Sequence, residues 1–271
     1  MADHAFFFTL HAVGRQLAAM PNDFYFIRLI HRATRRPCPG ERLWDAGQLT
    51  RGSVLRFLRA RNLQGFDVYL WPYTEHGNAG YILLDLDHVA PDVIPRMRSN
   101  GHEPCVLLET SPGHLQAWIR VSPTPLAPAL ATLVSKQLAH TYGGDLASTD
   151  WRHLGRLAGF TNRKPFYRAA FGSAPWVKIL HADAILASTS QDLLHAAAER
   201  LAQPSMPTTR DSRCPVSPSG DPPRAITRQG ARRIYQRWVE RWHIRDRFAQ
   251  PDWSIVDLWL ARKLLAMHIT P

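Results

Sequence analysis

The chain has 271 residues, of which 45% are hydrophobic, so it can fill the core of one large domain or of two, and these figures exclude a disordered tail. Its formal net charge of +11 at pH 7 exceeds what solubility requires and favours a polyanionic partner such as nucleic acid, although a protein can also be basic without one. The three cysteines are far apart, which supports neither a disulfide framework nor a structural zinc site.

Hydrophobic spacing predicts a mixture of helices and strands along the chain. Helices are predicted at residues 5–20, 53–65, 127–144 and 190–202, with 89–101 helical or irregular. Strands are predicted at 24–31, 66–73, 81–88 and 175–181, with a hairpin over 105–121 and a strand fragment within 35–44. This mixture of hairpins and helices predicts an α+β fold.

The C-terminal part of the chain has a different composition. Residues 203–224 are rich in proline and lack apolar periodicity, so we predict a linker between a domain at 1–202 and a helical module at 225–271. The module is short for an independent core, so it could be incomplete.

Arginines recur along the first predicted helix of this module and predict either a DNA-binding stripe or a solvated face above an apolar seam. The candidate DNA-binding residues are Arg232, Arg233, Arg237 and Arg241.

The segment YILLDLDH at residues 81–88 places two acids at the end of an apolar strand. Because side chains alternate along a strand, Asp85 and Asp87 should share a face, about 6–7 Å apart. Two carboxylates that close repel each other unless a cation lies between them, and the obvious cation is a metal. The alternative is that both acids simply reach solvent where the strand ends.

Two further segments carry polar side chains that could contact phosphate. The hairpin turn in ETSPGHLQ offers Ser111, His114 and Gln116, but it could also be an ordinary turn. The segment STDWRHLGRLAGFTNRKP could equally be a basic surface loop. Its candidate residues are Asp150, His153, Arg156, Asn162, Arg163 and Lys164.

Taken together, these segments resemble the archaeo-eukaryotic primase superfamily and, within it, the RepB-type primases of broad-host-range plasmids. LLDLD is similar to the superfamily's metal-binding strand, SPGHLQ to its nucleotide-binding turn and STD to the segment of its third aspartate. GRQLAAM at 14–20 and RHLGRLAGFTNRKP at 152–165 are similar to plasmid primases almost word for word. The resemblance spans about residues 8–180 and implies an RRM-like primase core followed by a small helical module.

The resemblance implies that Asp85, Asp87 and Asp150 bind catalytic Mg²⁺ or Mn²⁺ ions in a two-metal mechanism. The nucleotide would be contacted by Ser111, His114, Gln116, His153, Arg156, Asn162, Arg163 and Lys164. The choice between His114 and Gln116 as the phosphate contact stays open, because the superfamily usually has a histidine where this chain has Gln116.

The implied function is a DNA primase of plasmid replication that joins nucleoside triphosphates on a single-stranded DNA template and releases pyrophosphate. The implied partners are an initiation hairpin, engaged by the helical module, and other plasmid replication proteins. We expect a cytoplasmic protein, because no apolar run is long enough to span a bilayer and no signal peptide begins the sequence. We also expect a monomer.

Two other functions remain open at this stage. One is a non-catalytic protein that binds a replication origin or single-stranded DNA and keeps the aspartates for structure. The other is a nicking enzyme, which is disfavoured because none of the 13 histidines forms a His-x-His pair. The choice between ribonucleotides and deoxyribonucleotides is also open.

Overall fold

The computed structural model describes residues 4–40, 42–87, 89–165, 172–203, 235–237 and 240. The chain divides into two compact units, Met1–Ser205 and Met206–Pro271. In the second unit, Tyr235–Arg237 and Glu240 are helical. The predicted linker, apart from Gln203, and the rest of the predicted helical module lie outside the described residues, so those domain boundaries stay a prediction.

The first unit mixes helices and strands, as predicted. Its helices are α1 (His4–Ala19), α2 (Ala46–Leu49), α3 (Gly52–Leu63), α4 (Val93–Ser99), α5 (Pro128–Tyr142) and α6 (Ser190–Ala202). Its strands are β1 (Phe24–His31), β2 (Arg42–Trp44), β3 (Phe66–Tyr73), β4 (Tyr81–Asp87), β5 (Val106–Ser111), β6 (His114–Arg120), β7 (Gly155–Arg156) and β8 (Lys178–Ala182). Within the described ranges, no helix is long and apolar enough to cross a membrane.

The strands form two antiparallel sheets of four strands each. The first sheet has the order β2-β1-β3-β7, and the second has the order β4-β6-β5-β8. The predicted hairpin is present, since β5 and β6 pair directly across the turn at Pro112 and Gly113.

Side-chain alternation gives β4 two buried faces. Tyr81 and Leu83 belong to a core that also contains Trp118 of β6, α1 and α3, and the inner face of the first sheet. Leu84 and its neighbours on the other face belong to a second core with α4, α5 and α6. The acids at the end of β4 therefore continue the face that looks toward the first sheet.

The first sheet also has two different faces. Ile27 and Leu29 of β1 are buried in the core, while Phe26 and Arg28 project from the opposite face and lie across from Trp71 and Tyr69 of β3. This opposite face forms the floor of a groove.

Several boundaries were predicted correctly, and others were not. The strands at 24–31 and 66–73 and the helix at 190–202 are confirmed to the residue. The last strand was expected over 175–181 but runs from Lys178 to Ala182. Strand β3 continues through Pro72 to Tyr73, because beyond Leu70 it pairs with β1 and no longer with β7.

The two sheets are in close contact at Gly155 of β7. A Cβ atom at this position would lie 2.5 Å from Cζ2 of the fully buried Trp118. We therefore expect Gly155→Ala to lower the free energy of unfolding by about 1–3 kcal/mol, because the indole cannot yield in a packed core.

Urea denaturation followed by circular dichroism measures this effect. Gly14→Ala on α1 is the matched control, because no heavy atom lies within 4 Å of its added Cβ, and it should instead stabilise the protein by roughly 0.5–1 kcal/mol. Equal stability of the Gly155→Ala variant and the parent chain would contradict the described packing of the sheets.

Candidate active site

Asp85 and Asp87 lie on the same face of β4, as their spacing predicts. Their cross-strand neighbours on β6 are Gln116, opposite Asp85, and His114, opposite Asp87. Leu86 between the acids points the other way and is fully buried in the second core. The strand is therefore anchored on one face while it presents two carboxylates on the other.

Both aspartates line a small cavity of about 200 Å³. Four residues from the predicted nucleotide-contacting set line it with them: Gln116, His153, Arg156 and Lys164. Residues that the sequence analysis did not select complete the wall: Arg32, Tyr69, Thr110 and Leu154. The cavity thus combines two acids with three permanent cations.

The surroundings of Asp85 disfavour the ionised form of its carboxyl group. Burial raises the pKa of Asp85, and the neighbouring charge of Asp87 raises it further, while His153 and Lys164 act in the opposite direction. A cation between the two acids would favour the ionised form of both.

His114 forms a close contact with one of the acids. Its Nδ1 atom lies 2.6 Å from Oδ1 of Asp87, in a pair directly opposite each other on β4 and β6. This contact orients the Asp87 carboxylate. His114 does not line the cavity, whereas Gln116 does.

Gln116 and Arg156 join the two sheets beside the acids. The main-chain N–H of Arg156 on β7 donates a 2.8 Å hydrogen bond to Oε1 of Gln116 on β6. Gln116 is therefore fixed in orientation by a strand of the other sheet, and its carbonyl oxygen is occupied. Its amide nitrogen is the group that could donate to a phosphate oxygen.

A fully buried carboxylate, that of Asp67 on β3, organises the cationic side of the cavity. Its Oδ2 lies 2.9 Å from Nη2 of Arg156 and 3.0 Å from Nε of Arg32. Its Oδ1 accepts the main-chain N–H of Arg163 at 2.7 Å. Burial alone would lower the pKa of Arg156, but the charge of Asp67, helped by Tyr69 and Asp85, raises it, so Arg156 keeps its positive charge.

The remaining residues of the predicted set lie around the cavity. Arg163 lines a neighbouring groove of about 440 Å³, which shares Arg32 and Lys164 with the cavity. Asn162 is buried, donating to the carbonyl of Thr110 and accepting the main-chain N–H of Lys164, so it shapes the turn that carries Lys164. Ser111 is buried at the end of β5 and does not line the cavity.

Asp150 lines a second and larger groove beside the cavity, with a volume of about 800 Å³. It does not line the cavity itself. Its Oδ1 accepts the main-chain N–H of Arg152 at 2.9 Å, and its Oδ2 is 3.4 Å from Nδ1 of His153. In the described part of the chain, no three His, Cys, Asp or Glu side chains are grouped closely enough to hold a metal ion. The role of Asp150 as a third metal ligand therefore stays a prediction.

The donor set of the cavity nevertheless fits a divalent cation. Mg²⁺ in enzymes of phosphate chemistry is usually held by one or two carboxylates, water molecules and the substrate's own phosphates. Asp85 and Asp87 supply the two carboxylates, and a bound cation would offset the burial and the neighbouring charge that raise the pKa of Asp85.

Comparison with known proteins identifies the family of this chain. The model of the RepB DNA-primase N-terminal domain matches residues 54–202. The chain belongs to the RepB DNA-primase family. A crystal structure of primase RepB′ has a TM-score of 0.64 at 33% identity and covers 72% of this chain and 64% of that chain. The catalytic domain of primase RepB′ in complex with initiator DNA gives a TM-score of 0.63 at 33% identity over 72% of this chain and 96% of that chain.

Curated relatives are longer than this chain. Mobilization protein A of Escherichia coli is 34% identical over 195 residues, which are 72% of this chain and 26% of the relative. The DNA primase of Acidithiobacillus ferrooxidans is 31% identical over 122 residues, 44% of this chain and 33% of the relative. The chain thus spans about a quarter to a third of their length. The expected RepB-type α+β primase core is confirmed.

Three residues of the cationic side of the site were not predicted from the sequence. Asp67 stands second in the strand FDVYLWPY, where one acid among apolar residues was a visible signal of a buried ion pair. Arg32 stands in the basic run RATRR and gave no such signal. Tyr69 was hidden among the aromatic residues of β3.

We expect Asp67→Ala to lower the free energy of unfolding by about 3–5 kcal/mol, because it leaves the buried Arg156 without its counter-charge. Thermal and urea denaturation measure the loss. Asp92→Ala is the matched control, since its contact with Arg96 is 3.9 Å long and exposed, and it should change stability by less than about 1 kcal/mol. A similar small change in both variants would contradict the proposed dependence on Asp67.

Proposed function

We propose that this chain is the catalytic part of a plasmid DNA primase, which joins nucleoside triphosphates on a single-stranded DNA template and releases pyrophosphate. The observation that carries the proposal is the cavity in which Asp85 and Asp87 face Arg32, Arg156 and Lys164. Membership of the RepB primase family supports the same reaction. Such an enzyme works where the plasmid is, and we therefore propose the cytoplasm as its compartment.

The acids and the cations of the cavity have different tasks in this proposal. Asp85 and Asp87 would hold Mg²⁺ or Mn²⁺, with Asp150 as the proposed third ligand. Bound divalent ions would lower the pKa of the attacking 3′-hydroxyl and offset the charge that builds up on the transferred phosphate.

The protein's own cations would bind the triphosphate. Arg156 is held in a fixed orientation by Asp67, so its guanidinium can contact phosphate oxygens without losing side-chain entropy on binding. Lys164 and Arg32 line both the cavity and the neighbouring basic groove. They could therefore stay in contact with the phosphates of pyrophosphate as it leaves. His153, between the cavity and the larger groove, could contact the sugar or a phosphate.

The hairpin residues occupy different positions relative to the cavity and are therefore assigned different roles. Gln116 lines the cavity and can donate its amide N–H to phosphate, whereas His114 is paired with Asp87. We therefore propose Gln116 as the direct nucleotide contact and His114 as the residue that orients Asp87. Ser111, Asn162 and Arg163 would support the nucleotide site from its edge.

The first test of this function is template-dependent incorporation of labelled nucleotides on single-stranded DNA, with ribonucleotides and deoxyribonucleotides tried separately. We expect Mg²⁺- or Mn²⁺-dependent synthesis that a chelator abolishes. Asp85→Asn and Asp87→Asn should each reduce the rate at least about 100-fold, because each removes a charged metal ligand. Asp183→Asn, which changes an exposed acid outside the cavity, is the matched control.

Binding separates the alternatives. Both aspartate variants should bind single-stranded DNA as the parent chain does, and Mn²⁺ with a nucleoside triphosphate should raise the melting temperature of the parent more than that of the variants. Undiminished synthesis in the two variants would refute the catalytic assignment. Absence of synthesis in the parent, with DNA binding intact, would favour the non-catalytic binding protein.

The arginine stripe of the second unit is proposed to engage an initiation hairpin. Arg237 is exposed on a described helical segment, while Arg232, Arg233 and Arg241 lie outside the described residues. We expect Arg233→Glu together with Arg237→Glu to weaken binding to a hairpin template about tenfold or more, because two phosphate contacts are replaced by repulsion. Synthesis on a simple primed template should persist. An equal loss on both templates would rule out a hairpin-specific role.

A further inference from the structure

A groove of about 800 Å³ lies beside the cavity of Asp85 and Asp87. Its floor is the outward face of the first sheet, formed by alternate residues of β1 and β3, and residues 150–154 form its rim. This volume falls within the range of roughly 300–1,000 Å³ that is typical of ligand sites.

The floor of the groove is aromatic. Phe26, Tyr69, Trp71, Tyr73 and Trp151 all line it. The ring of Trp71 is surrounded edge-to-face, with centroid distances of 5.6 Å to Trp151, 5.7 Å to Tyr73 and 6.3 Å to Phe26. A sheet face that is turned away from the core would ordinarily carry polar side chains, so this concentration of rings needs a ligand to account for it.

A second observation also points to a ligand. The indole N–H of Trp71 is buried and has no hydrogen-bond acceptor among the described residues. Buried donors are nearly always paired, and an oxygen or nitrogen of a base in the groove is an acceptor that could pair with this one.

Two arginines give the groove places where phosphates could bind. Arg28 projects from β1 into the groove, and the exposed Arg152 stands on its rim with its guanidinium 4.9 Å from the centre of the Trp151 ring. The acids that line the groove are Glu75 and Asp150, and Asp150 is already engaged by Arg152 and His153. Aromatic faces interleaved with arginines are the pattern that binds unpaired bases and their phosphates.

The groove is continuous with the candidate active site. Tyr69, His153 and Leu154 line both the groove and the cavity of Asp85 and Asp87. We propose that this groove binds the single-stranded DNA template, with unpaired bases stacked on Phe26, Tyr73 and Trp151 and phosphates near Arg28 and Arg152. The inference rests on the proposed function, since it gives that site its template.

Stacking can be tested on the protein and on the DNA at once. Fluorescence anisotropy would compare a labelled oligothymidylate with an abasic oligonucleotide of equal length at one fixed salt concentration, using the full chain. We expect Phe26→Ala and Tyr73→Ala each to weaken oligothymidylate binding about tenfold and to leave abasic binding nearly unchanged. Phe7→Ala, which removes a phenyl ring 59% exposed on α1, is the matched control.

The charge component has its own signature. Arg28→Gln should weaken binding to both oligonucleotides alike and reduce the slope of log K against log salt by about one, because it removes one phosphate contact. Arg98→Gln, at an exposed position of α4, is its control. No effect of Arg28→Gln on either slope or affinity would remove the charge argument.

Two outcomes would overturn the groove as the template site. One is equal loss of thymidylate and abasic binding in the aromatic variants. The other is unchanged oligonucleotide binding with a raised KM for nucleoside triphosphates, which would assign the groove to the incoming base. The Asp85→Asn variant separates this inference from the proposed function, since groove binding should survive in it even if no synthesis is ever detected.

Discussion

The buried carboxylate of Asp67 is the interaction on which the cationic half of the site depends. It lies in the first sheet with no exposure to solvent, and it holds Arg156 and Arg32 while it accepts the main chain at Arg163. A single buried charge would be prohibitively costly, and two guanidinium groups make it tolerable. The same pairing keeps Arg156 charged at a depth where burial alone would lower its pKa.

Arg156 carries this organisation across to the acids. Its side chain is fixed by the first sheet, and its main-chain N–H is bound to Gln116 of the second sheet, directly opposite Asp85. The position of Arg156 relative to the acids is therefore set by strand β7 and its hydrogen bond to Gln116. A preorganised charge distribution of this kind costs no rearrangement when a triphosphate binds.

Local patterns were sufficient to predict most of the elements and the shared face of Asp85 and Asp87. The alternation in YILLDLDH predicted that Asp85 and Asp87 share a face, because period two is a property of the strand itself. The position of Asp150 depends on how the turns after α5 run. These turns begin at Gly143, which has a φ of 72°, and continue through Asp145, whose main-chain N–H binds the carbonyl of Asp85.

Residues whose role depends on pairing between distant strands could not be predicted in this way. The ion pairs of Asp67 with Arg32 and Arg156 join three separate segments that no local period relates, so these pairings were not predicted, although Arg156 itself was a candidate residue. The same holds for β7, a two-residue strand that joins the first sheet through Tyr69 and Leu70. Its existence depends on Gly155 fitting against Trp118, which is a contact between sheets and not a propensity of the sequence.

The site and the groove beside it follow from one asymmetry of the first sheet. Its inner face is hydrophobic and closes the core, while its outer face carries Arg28, Tyr69 and Trp71 in positions that the core does not need. Because Tyr69 and Arg156 lie opposite each other on β3 and β7, the outer face ends where the cavity of the acids begins. Bases stacked along this face would therefore lie in a row that leads to the carboxylates, and the pairing of the strands would set the direction of that row. A template strand and an incoming nucleotide could meet at Tyr69 without any movement of either sheet.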